Sequence, residues 1–194
     1  MKTAASDLDR LRESLGPLPE PAVEPPLVMV SGLPGTGKSY FCQRLLEKLD
    51  AVRVESDSLR KALFSPPAYT AEESARLFPA IHQLIDELLD RGVPVVYDAT
   101  NLAEHHREYL YNIAHRRDAR LILVWVKAPA EVVQERLQRR GAGAAGGDSS
   151  DAGWQVYERM RQSVEPMRRC HFVVDTSRDI GPVIDKIVRE ANRR

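Results

Sequence analysis

Hydrophobic positions along this chain follow two alternating rhythms. Five short runs rich in Val, Ile and Leu, at 27–31, 51–55, 93–98, 120–127 and 171–175, have the length and composition of strands. Between them, apolar residues return at helical spacing and predict helices over 38–49, 58–64, 71–91, 103–117, 130–140, 153–169 and 179–192. The third and fourth strands, VPVVYD and LILVWV, are apolar almost without a break, as expected for strands covered on both faces. Strand–helix alternation of this kind predicts an α/β fold, a three-layer sandwich whose mostly parallel five-stranded sheet carries helices on both faces. Ahead of it, Leu8, Leu11 and Leu15 stand at helical spacing behind Ser6, a candidate cap, and Gly16 closes this short helix. A proline-rich stretch over 17–26 then predicts an extended linker. The chain so divides into an accessory segment, 1–26, and a core domain, 27–194. The leucine face of the first helix has either its own domain or a partner to dock on.

In a parallel sheet, ligands bind outside the carboxyl ends of the strands, so the residues following each strand carry the candidate chemistry. After the first strand comes Gly32-Leu33-Pro34-Gly35-Thr36-Gly37-Lys38-Ser39, which satisfies G-x-x-x-x-G-K-[ST] between a strand and a helix. Glycines let such a loop turn its N–H groups onto phosphate oxygens. Lys38 adds a point charge toward the β- and γ-phosphates, and the Ser39 hydroxyl is a ligand for Mg²⁺. This is a nucleotide phosphate site, with Tyr40 beside it, and it makes the predicted sandwich a P-loop NTPase.

The second strand runs into Ser56-Asp57-Ser58-Leu59-Arg60. Asp57 and Arg60, three apart at a helix start, share one face over the sheet edge. They read either as a general base with an anion-gripping arginine, or as a helix cap beside a solvated side chain. After the third strand, Asp98 is a candidate to hold a Mg²⁺-bound water or the acceptor hydroxyl, against a purely structural role in the turn. Asn101 with Glu104 reads at least as a helix cap, and with Asp57, Arg60 and Asp98 Asn101 is also a candidate substrate-binding residue. The helix over 130–140 carries Arg136, Arg139 and Arg140 and leads into a Gly- and Ala-rich stretch. Together, about 136–153, they suit a closing lid that brings a cation to a transferring phosphoryl group, or else an ordinary surface loop.

Composition narrows the partners. Lys plus Arg and Asp plus Glu both number 28, so no overall field attracts nucleic acid, and a nucleic-acid substrate needs a local basic track such as 107–120 with 136–169. Cys42 and Cys170, the two cysteines, read as buried reduced thiols. With no signal-peptide pattern and no apolar run of membrane-spanning length, the chain reads as cytoplasmic. The five histidines lack zinc-ligand spacing.

These residues resemble the P-loop kinases of the polynucleotide 5′-hydroxyl kinase type. The resemblance spans Val28 to Val174 and rests on GLPGTGKS at Gly32–Ser39, SDSLR at Ser56–Arg60, DATNL at Asp98–Leu102 and the arginine-rich helix before the lid. It implies an ATP- and Mg²⁺-dependent transfer of the γ-phosphoryl group to a hydroxyl. It implies Asp57 as general base, Arg60 on the acceptor's phosphate and Asp98 in the acceptor site. The lid arginine on the donor phosphates is matched by Arg140 or Arg136. The motifs leave the acceptor open, because similar kinases act on nucleic-acid ends, small molecules, antibiotics or nucleotide sugars. Two further readings stand beside the kinase. One is a switch or motor ATPase, which Asp98-Ala99 in place of Asp-Glu disfavours. The other is an ATP-binding module without catalysis.

Overall fold

The computed structural model describes residues 6–143 and 151–193, with the backbone alone for 140–143 and 151–152. Five strands form one sheet: β1 (Pro26–Ser31), β2 (Val52–Glu55), β3 (Val95–Asp98), β4 (Arg120–Lys127) and β5 (Phe172–Asp175). Their order is β2-β3-β1-β4-β5 and every pairing is parallel, so the sheet is all-parallel where the sequence pattern implied mostly parallel.

Alternation of side chains along each strand sorts the core into two layers. Leu27 and Met29 of β1, Val95 and Tyr97 of β3 and Leu123 of β4 point to one face. There they meet α1 (Asp7–Glu13), α3 (Ser56–Leu63), α4 (Ala71–Asp90) and α5 (Glu104–Arg116). Val28 and Val30, Val96, and Ile122, Val124 and Val126 point to the other, under α2 (Lys38–Leu46) and α8 (Gly181–Ala191). All six residues of β1 are buried. A third, smaller cluster of Leu33, Val133, Leu137 and Tyr157 joins the phosphate loop to α6 (Ala130–Gly143) and α7 (Asp151–Gln162).

The first helix is closed by a capping box, with Ser6 Oγ accepting from the Asp9 N–H and the Asp9 carboxylate accepting from the Ser6 N–H. Leu11 is fully buried among the residues of α3 and α4, with Leu8 and Leu15 packed on the same cluster. Burial of one such leucine contributes about 1.5–3 kcal/mol.

Three local expectations change. The helix expected over 153–169 is α7, which begins earlier and ends at Gln162. Residues 163–171 run on without helix or strand through Pro166, which the helix does not incorporate. Cys42 is buried and its thiol pushed upward by desolvation and by the Asp98 charge, but Cys170 is exposed. Asn101 is not a cap: the N-cap of α5 is Ala103, which makes no side-chain cap bond. The Glu104 N–H is satisfied by the distant Glu165 carboxylate at 2.7 Å.

Topology fixes where a ligand can sit. The chain leaves β1 through α2 on one face of the sheet and leaves β3 through α5 on the other, although β1 and β3 are neighbours. Outside the carboxyl ends of such a strand pair a crevice opens.

Candidate functional site

The phosphate loop lies on one side of that crevice and the loop after β3 on the other. They are stitched together by the Gly32 N–H bond to the Thr100 carbonyl at 3.1 Å and by Ala99 N–H to the Val30 carbonyl at 3.4 Å. Gly32 has φ +152°, and a Cβ there would lie 2.3 Å from the Val126 carbonyl oxygen, so only glycine passes this close to β4. Gly37, the N-cap of α2, has φ +91°, and a Cβ would press on Thr176 and on the Arg136 guanidinium.

Carbonyls of the loop are tied back into the protein. Leu33 O accepts from Thr36 Oγ1 at 2.8 Å and from Lys38 Nζ at 3.0 Å, and Thr36 O accepts from Thr176 Oγ1 at 2.6 Å. Arg136 in turn donates to Thr176 Oγ1 at 2.8 Å and to Thr176 O at 2.9 Å. No side chain caps α2, so the first N–H groups of this helix are left for a ligand. A helix N-terminus preceded by such a loop attracts phosphate by both its donors and its dipole.

Across the crevice is a cleft of about 420 Å³ lined by Pro34, Gly35, Gly37, Lys38, Ser39, Glu55, Ser56, Asp57, Arg60, Tyr69, Asp98, Ala99, Thr100, Leu137, Val156 and Met160. Lys38, Ser39, Asp57, Arg60 and Asp98 therefore share one cavity, although they come from three different strand ends. Of the remaining loop residues, Leu33 and Thr36 are buried beneath it, and Gly32 turns the chain at its base. Tyr40 is exposed on α2 outside the cleft, and Arg136 sits behind Gly37. Asn101 is buried with φ +46° and lines an adjoining cavity instead. The side chain of Arg140, and residues 144–150 of the expected lid, lie outside the described residues. Gly141 to Gly143 continue α6.

Each charged group at the cleft is engaged. Asp57, at the exposed start of α3, accepts from Tyr69 Oη at 2.7 Å and pairs with Lys61 at 2.8 Å. Partial burial opposes its charge, but the hydrogen bonds from Lys61 and Tyr69 and the charges of Lys61 and Arg60 outweigh that and hold the carboxyl below the usual aspartate range. Neither Ser56 nor Asp57 caps α3, whose N-cap is Glu55 without a side-chain bond. Arg60 is buried, not solvated. Its two terminal nitrogens donate to Glu73 at 3.2 Å and Ser74 at 3.0 Å, and its guanidinium lies 5.2 Å over the Tyr69 ring. Asp98 is 4% exposed and pairs with Arg53 at 2.5 Å, and Arg53 also reaches Glu55 at 3.0 Å.

Mg²⁺ takes six oxygens, few of them from protein, and keeps water and substrate phosphate for the rest. Ser39 and Asp98 supply a hydroxyl and a carboxylate to the same cleft, a hard-oxygen donor set that fits. No cluster of three or more His, Cys, Asp or Glu occurs among the described residues, and a cation held mainly by phosphate calls for none.

Four residues with no motif of their own complete the site. Tyr69 bridges Asp57 and Arg60. Thr176 fastens the phosphate loop, and Arg53 neutralises Asp98. Arg107, fully buried, donates to the carbonyls of Asn101 and Leu102 at 2.9 Å each and to those of Glu165 and Pro166 at 2.9 and 3.1 Å. It thereby anchors the loop after β3 to the segment leaving α7. Arginine at such a position is legible only as a basic residue on a helix.

A family model described as AAA domain matches residues 27–167, most of the chain. The chain belongs to this AAA domain family. It is 28% identical over 120 residues to the L-seryl-tRNA(Sec) kinase of Methanococcus maripaludis, a match covering 59% of this chain and 46% of that protein. The match thus spans about half the length of that curated relative. In structure it resembles a Chloroflexus aurantiacus protein proposed to be a kinase, with TM-score 0.68 and 20% identity over 86% of this chain and 98% of that one. It also resembles the APS kinase CysC of Mycobacterium tuberculosis, solved with AMPPNP and APS, at TM-score 0.62 and 18% identity over 88% and 98% of the two chains. The fold is that of the P-loop kinases. Among the described residues, no helix is long and apolar enough to cross a membrane.

Proposed function

We propose that this protein is a phosphotransferase that moves the γ-phosphoryl group of ATP to a hydroxyl acceptor. One observation carries the reading: the phosphate loop and the trio Asp57, Arg60 and Asp98 face each other across a single 420 Å³ cleft. A switch ATPase needs only the first half of that arrangement. The kinase names borne by the similar proteins support the same class.

In this reading the loop amides and Lys38 hold the β- and γ-phosphates, and catalysis is mostly positioning and electrostatic stabilisation. Bound Mg²⁺, held by Ser39 and Asp98, would neutralise phosphate charge. Asp57, ionised through its contacts with Lys61 and Tyr69, accepts the proton of the attacking hydroxyl. Arg60 steadies the anionic part of an acceptor that carries one, its guanidinium already oriented by Glu73 and Tyr69. Arg136 borders the donor side through its Thr176 contacts, while Arg140 is the other candidate for the cation that meets the transferring group.

Between a polynucleotide 5′-end and a small acceptor, the arrangement of arginines favours the small one. In the 107–120 part of the basic track the arginines already have partners, which weakens it as a path for a phosphate backbone. Arg107 is interior, Arg116 and Arg117 pair with Asp86, Arg117 also pairs with Asp90, and Arg120 pairs with Glu24. Arg169 lies over the Tyr111 ring.

The test is a transfer screen with γ-labelled ATP against nucleosides, sugars, aminoglycosides, nucleotide sugars and 5′-hydroxyl oligonucleotides, with Lys38→Ala as blank. A labelled acceptor that depends on Lys38 is expected. Release of free phosphate with no labelled acceptor in any class would replace the kinase by an ATPase.

A further inference from the structure

Beside the main cleft lies a second cavity of about 250 Å³, and the two meet at Ala99 and Thr100, which line both. Its walls are rings: Phe78 and His82 from α4 and His106 from α5. The Phe78 and His106 rings already stack, with centroids 6.3 Å apart and planes 29° from parallel. No Lys, Arg, Asp or Glu is among its lining residues. Burial, then the nearness of His106, holds the His82 imidazole below the usual range. Burial and His105 do the same for His106 against the opposing charge of Glu165, so both rings are neutral near pH 7.

Tyr97 also lines this cavity. It is fully buried, and its hydroxyl has no hydrogen-bond partner among the described residues. Buried tyrosine hydroxyls ordinarily have a partner, so an unpaired one on a residue of the cavity wall marks bonding capacity that a ligand filling the space could take up. Asn101, the other polar side chain deep in this wall, makes one long contact of 3.4 Å to the Val30 carbonyl. The loop presenting it is fixed by the four carbonyl contacts of Arg107. The cavity is thus an uncharged slot walled by rings, with Tyr97, Thr100, Asn101 and Ser163 as its polar side chains besides the imidazoles.

We propose that this cavity is the recognition pocket of the acceptor and that it takes a neutral planar heteroaromatic ring, a nucleobase, read at its edge by Tyr97 and Asn101. The proposal rests on the phosphotransferase reading of the adjoining cleft. A sugar attached to a base in this slot would extend past Ala99 and Thr100, the two residues shared with the cleft that Asp57 lines. A compact anion such as gluconate or sulfate finds no cation here. The base belongs either to a free nucleoside or to the end of a polynucleotide, and the chemistry of the slot is the same for both.

Calorimetric titrations of the full chain with Mg²⁺ and the non-hydrolysable analogue AMPPNP separate the possibilities without requiring turnover. The probes are the four common nucleosides, ribose, and a 5′-hydroxyl dinucleotide. At least one base-bearing probe should bind and ribose should not. Tyr97→Phe, which removes one unpaired oxygen and leaves the fold intact, should weaken that binding about 10-fold, the loss of one hydrogen bond. AMPPNP affinity should be unchanged. His106→Ala, at an exposed position, should weaken the same probe by removing a stacking wall. A dinucleotide that binds more tightly than any nucleoside identifies a polynucleotide source, and one that binds no better identifies the free nucleoside. Binding of ribose as tight as that of the nucleosides would overturn the proposal. So would wild-type affinity in Tyr97→Phe, or AMPPNP binding with no base-bearing probe bound. A nucleoside bound in this way but never phosphorylated would leave the pocket standing and overturn the kinase reading alone.

Discussion

Tyr69 donates a 2.7 Å hydrogen bond to Asp57 while its ring lies against the Arg60 guanidinium, so one exposed tyrosine couples two charged groups of the cleft. This contact helps to keep Asp57 ionised, because it stabilises the charged form. In wild type the acid limb of turnover should therefore lie below the ordinary aspartate value on Asp57's account. Tyr69→Phe keeps the ring and removes the bond. The pH–rate profile should show its acid limb displaced to higher pH, with the KM for ATP unchanged. A profile identical to wild type would remove Tyr69 from the account.

Asp98, the most enclosed carboxylate lining the cleft, is paired with Arg53. Removal of one partner leaves the other desolvated and unpaired, which costs about 2–4 kcal/mol where the survivor is as enclosed as Asp98. Urea denaturation of Arg53→Ala should show a lower midpoint of that order. Arg53→Ala with Asp98→Asn should recover much of the loss, since no lone charge then remains.

Arg107 should matter more to folding than any exposed arginine of the same helix. Its guanidinium satisfies four backbone carbonyls and pairs with Glu104 at 2.6 Å, so Arg107→Met leaves several buried acceptors open at about 1–3 kcal/mol each. Denaturant melts should show a loss above about 3 kcal/mol for Arg107→Met and within about 0.5 kcal/mol for Glu108→Ala on the exposed face of α5.

Asp86 supplies a pH test of stability remote from the cleft. Hydrogen bonding from Arg117, against some burial and reinforced by Arg116, lowers its carboxyl from the ordinary 3.8 to about 2. Between those values the unfolded chain binds more protons than the folded one, so stability rises with pH across that window. The contribution is complete above the unfolded value and is lost as pH falls through the folded one. Asp86→Asn should flatten the acid side of a stability–pH curve measured by urea denaturation between about pH 2 and 4.

Local signals in the chain were enough to place its elements and to single out the loop and the carboxylates that the fold brings into one cleft. Strand periodicity, the glycine–lysine–serine loop and the carboxylates after β2 and β3 are each legible within a dozen residues. What escaped was whatever depends on distant segments. Thr176 meets Thr36 across 140 positions, and Arg107 meets Glu165 across 58. Asn101 with Glu104 had the spacing of a cap, but Glu165 reached the helix start first and left Asn101 to face a cavity. The basic residues over 107–120 suggested a surface track because sequence cannot show that their counter-charges lie on α4 and in the linker before β1.

In the proposed reaction Asp57 and Lys38 serve the two halves of one transfer. Its most direct test is paired: single-turnover transfer from γ-labelled ATP to the acceptor found in the screen, and calorimetric AMPPNP binding, both with Asp57→Asn. Turnover should fall by about 100-fold or more, as for loss of a general base, with AMPPNP affinity within about twofold of wild type. Wild-type turnover in Asp57→Asn, or a fall that follows lost AMPPNP binding, would contradict it.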